Sequence, residues 1–329
     1  MRLQESLIHR SGRVKKRVQR VRTLEIVAVR VDNALPRVLV CAMDLPSYLR
    51  LVVTRLAREI GVRTFRDLDR MERTAQYLED EFRAAGCTVS RHPFSYDGAT
   101  LHNIIAEIPG SDPGKILVIG AHYDTVRTTP GADDNASGIA GLLGLARLLK
   151  DERPACTVRL VAFAFEEPPA FRTKQMGSYH YARSLKDRRE RVLGMICLEM
   201  IGFFSDRPGS QHYPLPFMKL RFPSTGNYIA MVGSRQAKQF TEEIAARFRS
   251  ATDLPLVTLN APAFVVGIDF SDHWAFNKLG YPAFMVTDTA FYRNANYHSP
   301  ADLPETLDYL RMAKVIEGLA AAVRSLEHE

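Results

Sequence analysis

The sequence predicts an α/β protein, a three-layer α/β/α sandwich around a mixed, mostly parallel twisted sheet, on three observations. Short, largely β-branched apolar runs (Ile116–Ala121, Thr157–Phe165, Val192–Leu198, Pro282–Asp288) alternate with stretches of helical periodicity, the pattern of parallel strands covered on both faces. The first three of these runs lead directly into imidazole or carboxylate groups, as expected at the carboxyl edge of an open α/β sheet, where ligands sit. No internal repeat and no linker divides the body of the chain.

Taken in order, Ser47–Glu59 carries Leu49, Val52, Val53 and Leu56 at helical spacing, closed by Gly61. Arg70–Ala85 repeats the pattern with Met71, Ala75, Leu78 and Phe82, closed by Gly86. Thr88–Phe94 and Leu101–Ile108, separated by Asp97-Gly98, read as an edge hairpin or as neighbouring edge strands. After the Ile116–Ala121 strand, a polar turn leads to a helix over Ser137–Leu149, whose Gly138, Gly141 and Gly144 permit close packing on the sheet. The Thr157–Phe165 strand is followed by a helix over Gly177–Leu185 and the strand Val192–Leu198. Phe203–Asn227, rich in Pro, Gly and aromatic residues, is too long for an ordinary connection and reads as a lid or rim. A strand at Tyr228–Val232, helices at Gln236–Ser250 and Phe270–Leu279, the strand Pro282–Asp288 and a final helix Glu305–Leu326 complete the body.

The charge is unevenly placed. Residues 1–40 hold ten Lys or Arg against Glu5, Glu25 and Asp32, and account for the whole net charge of +7; the remainder balances at 34 against 34. The expectation is a basic arm over residues 1–43, poorly ordered and solvated. No aromatic stacking residue or recognition motif accompanies its charges, so nucleic acid is not the expected partner. No apolar run approaches the roughly 20 residues of a membrane helix, and no secretory pattern is seen. Cys41, Cys87, Cys156 and Cys197 are scattered without a CxxC pair, the usage of a cytoplasmic protein with reduced thiols.

The chemistry concentrates at strand ends. His122 and Asp124 follow the Ile116–Ala121 strand, Glu166 and Glu167 follow the next, and Glu199 follows Val192–Leu198. Asp134 is expected to begin the helix after the first strand, and Tyr297-His298 lies on the loop after the last. Each has an ordinary use alone: a helix cap, a solvated strand exit, a surface turn. Together they form an imidazole–carboxylate set that suits zinc, in which a shared carboxylate can hold two ions. Alternation along a strand would let the adjacent Glu166 and Glu167 divide the work of ligand and proton carrier. Asp272, in Ser271-Asp272-His273, reads as a helix cap, and His273 and Trp274 as core or pocket wall.

The succession His-x-Asp, Pro-Gly-Ala-Asp-Asp-Asn-x-Ser-Gly, Phe-x-Phe-Glu-Glu, Leu-Glu-Met-Ile-Gly and Tyr-His-Ser-Pro-x-Asp resembles the M28 family of co-catalytic zinc aminopeptidases, from about Leu45 to Leu326. The resemblance implies a single catalytic domain over residues 44–329, with a lid-like insertion at about 203–227, and two Zn2+ ions, replaceable by Co2+ or Mn2+. Asp134 would bridge the ions, with His122 and Glu199 completing one site and Glu167 and His298 the other. Asp124 would orient His122, Glu166 would act as general base, and Tyr297 would donate to the oxyanion. The implied reaction is hydrolysis of an N-terminal peptide bond in a peptide or aminoacyl substrate.

One departure is that the family usually has Asp where this chain has Glu199; Glu is also a competent zinc ligand. Two alternatives accompany the resemblance. A glutaminyl-cyclase-like acyl transferase would keep one zinc, on the counterparts of Asp134, Glu167 and His298, whereas this chain retains His122 and a carboxylate at 199. A non-catalytic scaffold of the same fold would show damaged ligands, and the Asp-to-Glu exchange is the only change here.

Overall fold

The computed structural model describes residues 43–326. The expected arm, and Cys41 within it, lie outside the described residues except for Met43. Among the described residues there are seven α-helices and one eight-stranded sheet. The first helix, α1 (Leu45–Thr54), starts where Asp44 accepts a hydrogen bond from the Ser47 amide, with Pro46 in the first turn. It runs on as a wider turn over Arg55–Ile60, which ends at Gly61 with a left-handed φ of 81°. Asp67 caps α2 (Leu68–Ala84) in the same way, and its Met71, Ala75, Leu78 and Phe82 are buried as the spacing predicts. Strands β1 (Thr88–Tyr96) and β2 (Ala99–Ile108) form an edge hairpin whose two turn residues, Asp97 and Gly98, are both left-handed.

The sheet continues with β3 (Asp112–His122), β4 (Cys156–Phe163), β5 (Arg191–Leu198), β6 (Ile229–Ser234), β7 (Leu256–Ala261) and β8 (Ala283–Thr287), in the spatial order β1-β2-β4-β3-β5-β8-β6-β7. The four neighbours β4, β3, β5 and β8 are mutually parallel, so their carboxyl ends share one edge. The outer pairings β1–β2, β2–β4 and β6–β8 are antiparallel, and β6–β7 is parallel. Helices α3 (Gly138–Leu149), α4 (Gly177–Asp187), α5 (Lys238–Ala251), α6 (His273–Lys278) and α7 (Tyr309–Arg324) complete the set.

Alternation along β5 shows how the layers form. The Leu198 side chain lies beside Gly141 of α3, where Ile316 of α7 also arrives, whereas the Cys197 thiol meets the Ser271 hydroxyl just before α6. A Cβ on Gly141 would sit 2.9 Å from Ile316, which explains why the glycines of α3 permit the close approach expected of them. On the other face, Phe163 packs against Tyr181 of α4 and Phe276 of α6.

Several boundaries differ from expectation for physical reasons. Asp134 does not begin a helix: residues Ala132–Ser137 form an irregular turn with Asp134 at φ −103°, ψ 91°, and α3 begins at Gly138. β4 stops at Phe163, and Phe165 is left-handed (φ 63°), so Glu166 and Glu167 lie past the strand and are not divided by its pleat. α7 starts at Tyr309, capped by Asp308, because Pro304–Thr306 makes a separate turn. Asp272 stands at the start of α6 without a capping hydrogen bond from its side chain. The six-residue edge strand β7 was not expected at all; its residues are only partly buried, and half-exposure blurs the apolar signal. Segment 203–227 holds no strand and only one short helix, the 3-10 turn Pro216–Leu220.

A Cβ at Gly120, in the strand that carries His122, would lie 2.2 Å from the Phe163 ring. Gly120→Ala is therefore expected to cost about 1–3 kcal/mol of stability through overpacking, read as a lower urea midpoint. An unchanged midpoint would contradict this packing.

Candidate metal centre

All of the strand-end residues singled out in the sequence converge. His122 closes β3, and its Nε2 lies 3.4 Å from Asp134 Oδ1 and 3.3 Å from Glu199 Oε2. Across Asp134, His298 Nε2 lies 3.1 Å from Oδ2 and 3.5 Å from Glu167 Oε1. Among the described residues, three groups bring possible ligand atoms within 4.8 Å of one another: His122, Asp134 and Glu199; Asp134, Glu167 and His298; and His122, Glu166 and Glu167. Asp134 belongs to the first two and offers one oxygen to each imidazole. All of these residues are buried except His298, which is partly exposed.

The backbone at the centre is held in unusual conformations. Phe165 before Glu166, Met200 after Glu199, and His298 itself all have left-handed φ values (63°, 51° and 55°). For residues with a Cβ, such values cost about 1–3 kcal/mol each and persist where the surroundings over-determine them. Here the surroundings are a lattice of amide donors. The Asp124 carboxylate accepts from the amides of Glu166 (3.0 Å) and Glu167 (3.1 Å), while His122 Nδ1 lies 3.5 Å from its Oδ1 and 3.2 Å from its carbonyl oxygen. Asp124 therefore faces His122 as expected and also fixes the turn that presents both glutamates.

Four further residues support the centre without having been given a role from the sequence. Asp302 accepts from the amides of Asp133 (2.8 Å) and Asp134 (3.1 Å) and so anchors the turn from the far loop. Asn135 donates to the Leu198 carbonyl, and its Oδ1 accepts from the amides of Gly138 and Met200. Ser271 donates to Glu199 Oε2 at 2.7 Å. Arg63, wholly buried, grips the loop between His122 and Asp134. Asp302 and Asn135 lie inside the sequence motifs and could have been flagged there; Ser271 and Arg63 carry no local signal. Asp272 is buried near the cluster, and its carboxyl is pushed up to about 7 by burial. His273 hydrogen-bonds the Ile268 carbonyl (2.8 Å), a core role for its ring.

Electrostatics follow from so many buried acids. Burial would lower the His122 pKa, but Glu199, Asp124 and Asp134 hold it well above the usual imidazole range. Burial likewise opposes the charge on His298, yet Asp134 and Glu167 raise it to about 10. Burial works against ionised Asp134 too, but the two imidazoles keep its carboxyl well below normal. Burial and the charge of Asp134 lift Glu167 to about 7, and burial raises Glu166 well above normal, with Glu167, Asp272 and Glu199 adding to it against His122. Burial and the nearby carboxylates push the Tyr297 phenol up; its ring stacks on His298 at 3.8 Å.

A mostly apolar cavity opens directly from this cluster. Glu199 and Tyr297 form its polar end, and Met218, Phe222, Tyr228, Val257, Ile268 and Phe270 are among its walls. Segment 203–227 contributes part of that wall, from Gln211 to Phe222.

The family model of Peptidase family M28 matches residues 103–323. The uncharacterized protein YfbL of Escherichia coli (strain K12) is 42% identical over 282 residues, 83% of this chain and 86% of that one. A probable zinc metalloprotease of Pyrenophora teres f. teres (strain 0-1) is 29% identical over 225 residues, 60% of this chain, which spans 44% of that relative's length. Among solved structures, BSAP, a zinc aminopeptidase from Bacillus subtilis, superposes with a TM-score of 0.67 at 16% identity, covering 85% of this chain and 95% of its own. A glutaminyl cyclase of Fimbriiglobus ruber gives 0.64 at 20% identity, covering 86% and 95%. At these identities the structural likeness is one of fold.

Metal-free His298, with its pKa near 10, is protonated at neutral pH, and Glu167, near 7, is partly so. A cation binding between them must displace those protons, so affinity rises with pH. Zinc is expected to bind at pH 8 at least roughly tenfold more tightly than at pH 6 by competition with a chelator. Equal affinities would contradict the arrangement.

Proposed function

The chain belongs to peptidase family M28, and on that premise we propose that it is a zinc-dependent aminopeptidase acting on peptides with a large apolar N-terminal residue. The observation that carries the reading is the position of Asp134 between two donor groups, His122 with Glu199 and Glu167 with His298. The residues fit zinc on two counts. Imidazole and carboxylate donors are its common ligands, and Glu167 Oε1 is buried without a hydrogen-bond partner, an acceptor left over for a cation. His122, Asp134 and Glu199 would hold one ion, and Asp134, Glu167 and His298 a second; Co2+ or Mn2+ could replace zinc on the same donors.

Zinc bound there supplies Lewis-acid polarisation of the scissile carbonyl and an acidified water. The chain's own groups divide the remaining work. Glu166, fixed through its amide to Asp124, takes a proton from the attacking water and returns it to the departing amine. Its burial among carboxylates raises its proton affinity, the direction a proton carrier at neutral pH requires. Tyr297 keeps its phenolic proton and donates it in a hydrogen bond to the developing oxyanion. Asp124 keeps His122 in register with Asp134. The apolar cavity beside Glu199 and Tyr297 receives the N-terminal side chain, and segment 203–227 shapes its wall.

Single-zinc acyl transfer, the alternative on this fold, would leave His122 and Glu199 without a use. The 3.3 Å between His122 Nε2 and Glu199 Oε2 supports hydrolysis at two ions.

Two experiments test the reading. Protein purified without chelator is expected to hold two zinc ions; Glu166→Gln keeps both and loses about 10²–10⁴-fold in kcat. Glu199→Ala loses metal as well as activity. One zinc in the parent, unchanged in Glu199→Ala, would contradict the proposal. Against aminoacyl-anilides, leucine and phenylalanine are expected to outpace glycine and glutamate by about tenfold or more in kcat/KM, since each buried methylene is worth about 0.8 kcal/mol. Ala230→Leu, which fills the cavity from β6, is expected to shift the preference toward alanine. A flat profile in both proteins would contradict the pocket assignment.

A further inference from the structure

Arg63 is the most deeply buried cation among the described residues, with 0% exposure, and the hydrolytic chemistry makes no use of it. Among the described residues no carboxylate forms a salt bridge with it; Asp124, Asp302 and Asp134 act on it only at longer range. Its guanidinium donates instead to five carbonyl oxygens. Nε reaches Tyr123 (2.7 Å); Nη1 reaches Leu56 (2.9 Å), Gly61 (2.9 Å) and Pro130 (3.0 Å); Nη2 reaches Gly131 (3.1 Å). Its main chain is tied to the same loop. The Arg63 amide donates to Thr125 Oγ1 (3.0 Å), and the Thr125 amide donates back to the Arg63 carbonyl (2.9 Å).

The acceptors define the role. Tyr123 follows His122, and Gly131 lies three residues before Asp134, so one guanidinium spans both ends of the loop that carries the two groups. The approach depends on Gly131: with φ 63°, a Cβ there would lie 2.3 Å from the Asp134 carbonyl and 3.1 Å from Arg63 Nη2. Burial lowers the Arg63 pKa to about 10, against the opposing charges of Asp124, Asp302 and Asp134, so it stays a cation at neutral pH. Five acceptors arrayed around a planar fork suit arginine; lysine, with three donors on a point charge, cannot reproduce them.

We propose that Arg63 is a positioning residue for the metal centre, holding the Tyr123–Gly131 loop so that His122 and Asp134 keep the separation that zinc binding requires. The inference rests on the zinc reading of the cluster above. It assigns a role to a residue outside every motif, whose guanidinium reaches the centre only through main-chain carbonyls.

The test is zinc affinity, measured by chelator competition on the full chain, for the parent, R63K, R63M and R63A, with far-UV circular dichroism and the zinc-free melting temperature alongside. All three variants are expected to bind zinc at least tenfold more weakly. Millimolar guanidinium, well below denaturing levels, is expected to restore R63A at least severalfold, while sodium at the same concentration does not. R63K is expected to fall with the others, because charge without the fork does not position the loop. A role in folding alone would lower the zinc-free melting temperature and leave zinc affinity within twofold of the parent, which would overturn the inference. So would a folded R63K with parental affinity, or failure of every variant to fold even with guanidinium present. A parent that binds no zinc would defeat the zinc reading first and this inference with it, whereas a zinc-binding parent with unaffected variants would defeat only the role of Arg63.

Discussion

The constraint on which this structure depends is the burial of many carboxylates at one edge of a sheet. Asp124, Asp133, Asp134, Glu166, Glu167, Glu199, Asp272, Asp288 and Asp302 are all buried. Taking such charges out of water is costly unless each finds a hydrogen bond, a counter-charge or a proton. The fold answers in all three ways. Main-chain amides serve Asp124, Asp133, Asp288 and Asp302. Two imidazoles serve Asp134, and burial among like charges raises the proton affinity of Glu167, Asp133 and Asp302. What is left over is the gap between the two donor groups around Asp134, where a cation would relieve several of these charges at once.

The same constraint explains why the sheet is built as it is. Four parallel strands bring four chain ends to one edge, so residues separated by more than 170 positions, such as His122 and His298, share a site. Each turn that carries a candidate ligand is then fastened by a residue from a different turn: Asp124 holds the glutamates, Asp302 holds Asp134, and Asn135 holds the end of β5. Such reciprocal fastening keeps left-handed residues at 165, 200 and 298 in place.

Much of this was legible in the sequence, for identifiable reasons. Buried parallel strands read as continuous apolar runs, so β3, β4, β5 and β8 could be located and their polar exits seen. The ordered motifs marked His122, Asp134, Glu166, Glu167, Glu199 and His298, and the structure brings them together. The conformation of Asp134 was not legible, because Asp next to a helix start looks like a cap when its true setting is a turn held by a loop far away in sequence. Glu166 and Glu167 were expected to be separated by a pleat that ends too early to separate them. Arg63 could not have been singled out, since Gly61-Val62-Arg63 is an ordinary segment and its guanidinium's partners in the loop between His122 and Asp134 are carbonyl oxygens 60 to 68 residues on. Strand β7 lacked the apolar run that marks buried strands.

The central claim, that Asp134 is shared by two cations, is tested most directly by anomalous diffraction at the zinc edge from crystals of the zinc-loaded protein. The account predicts two peaks flanking Asp134, about 3.5–4 Å apart as in two-metal sites, one beside His122 and Glu199 and one beside Glu167 and His298. A single peak among Asp134, Glu167 and His298, with His122 and Glu199 bare at saturating zinc, would contradict it.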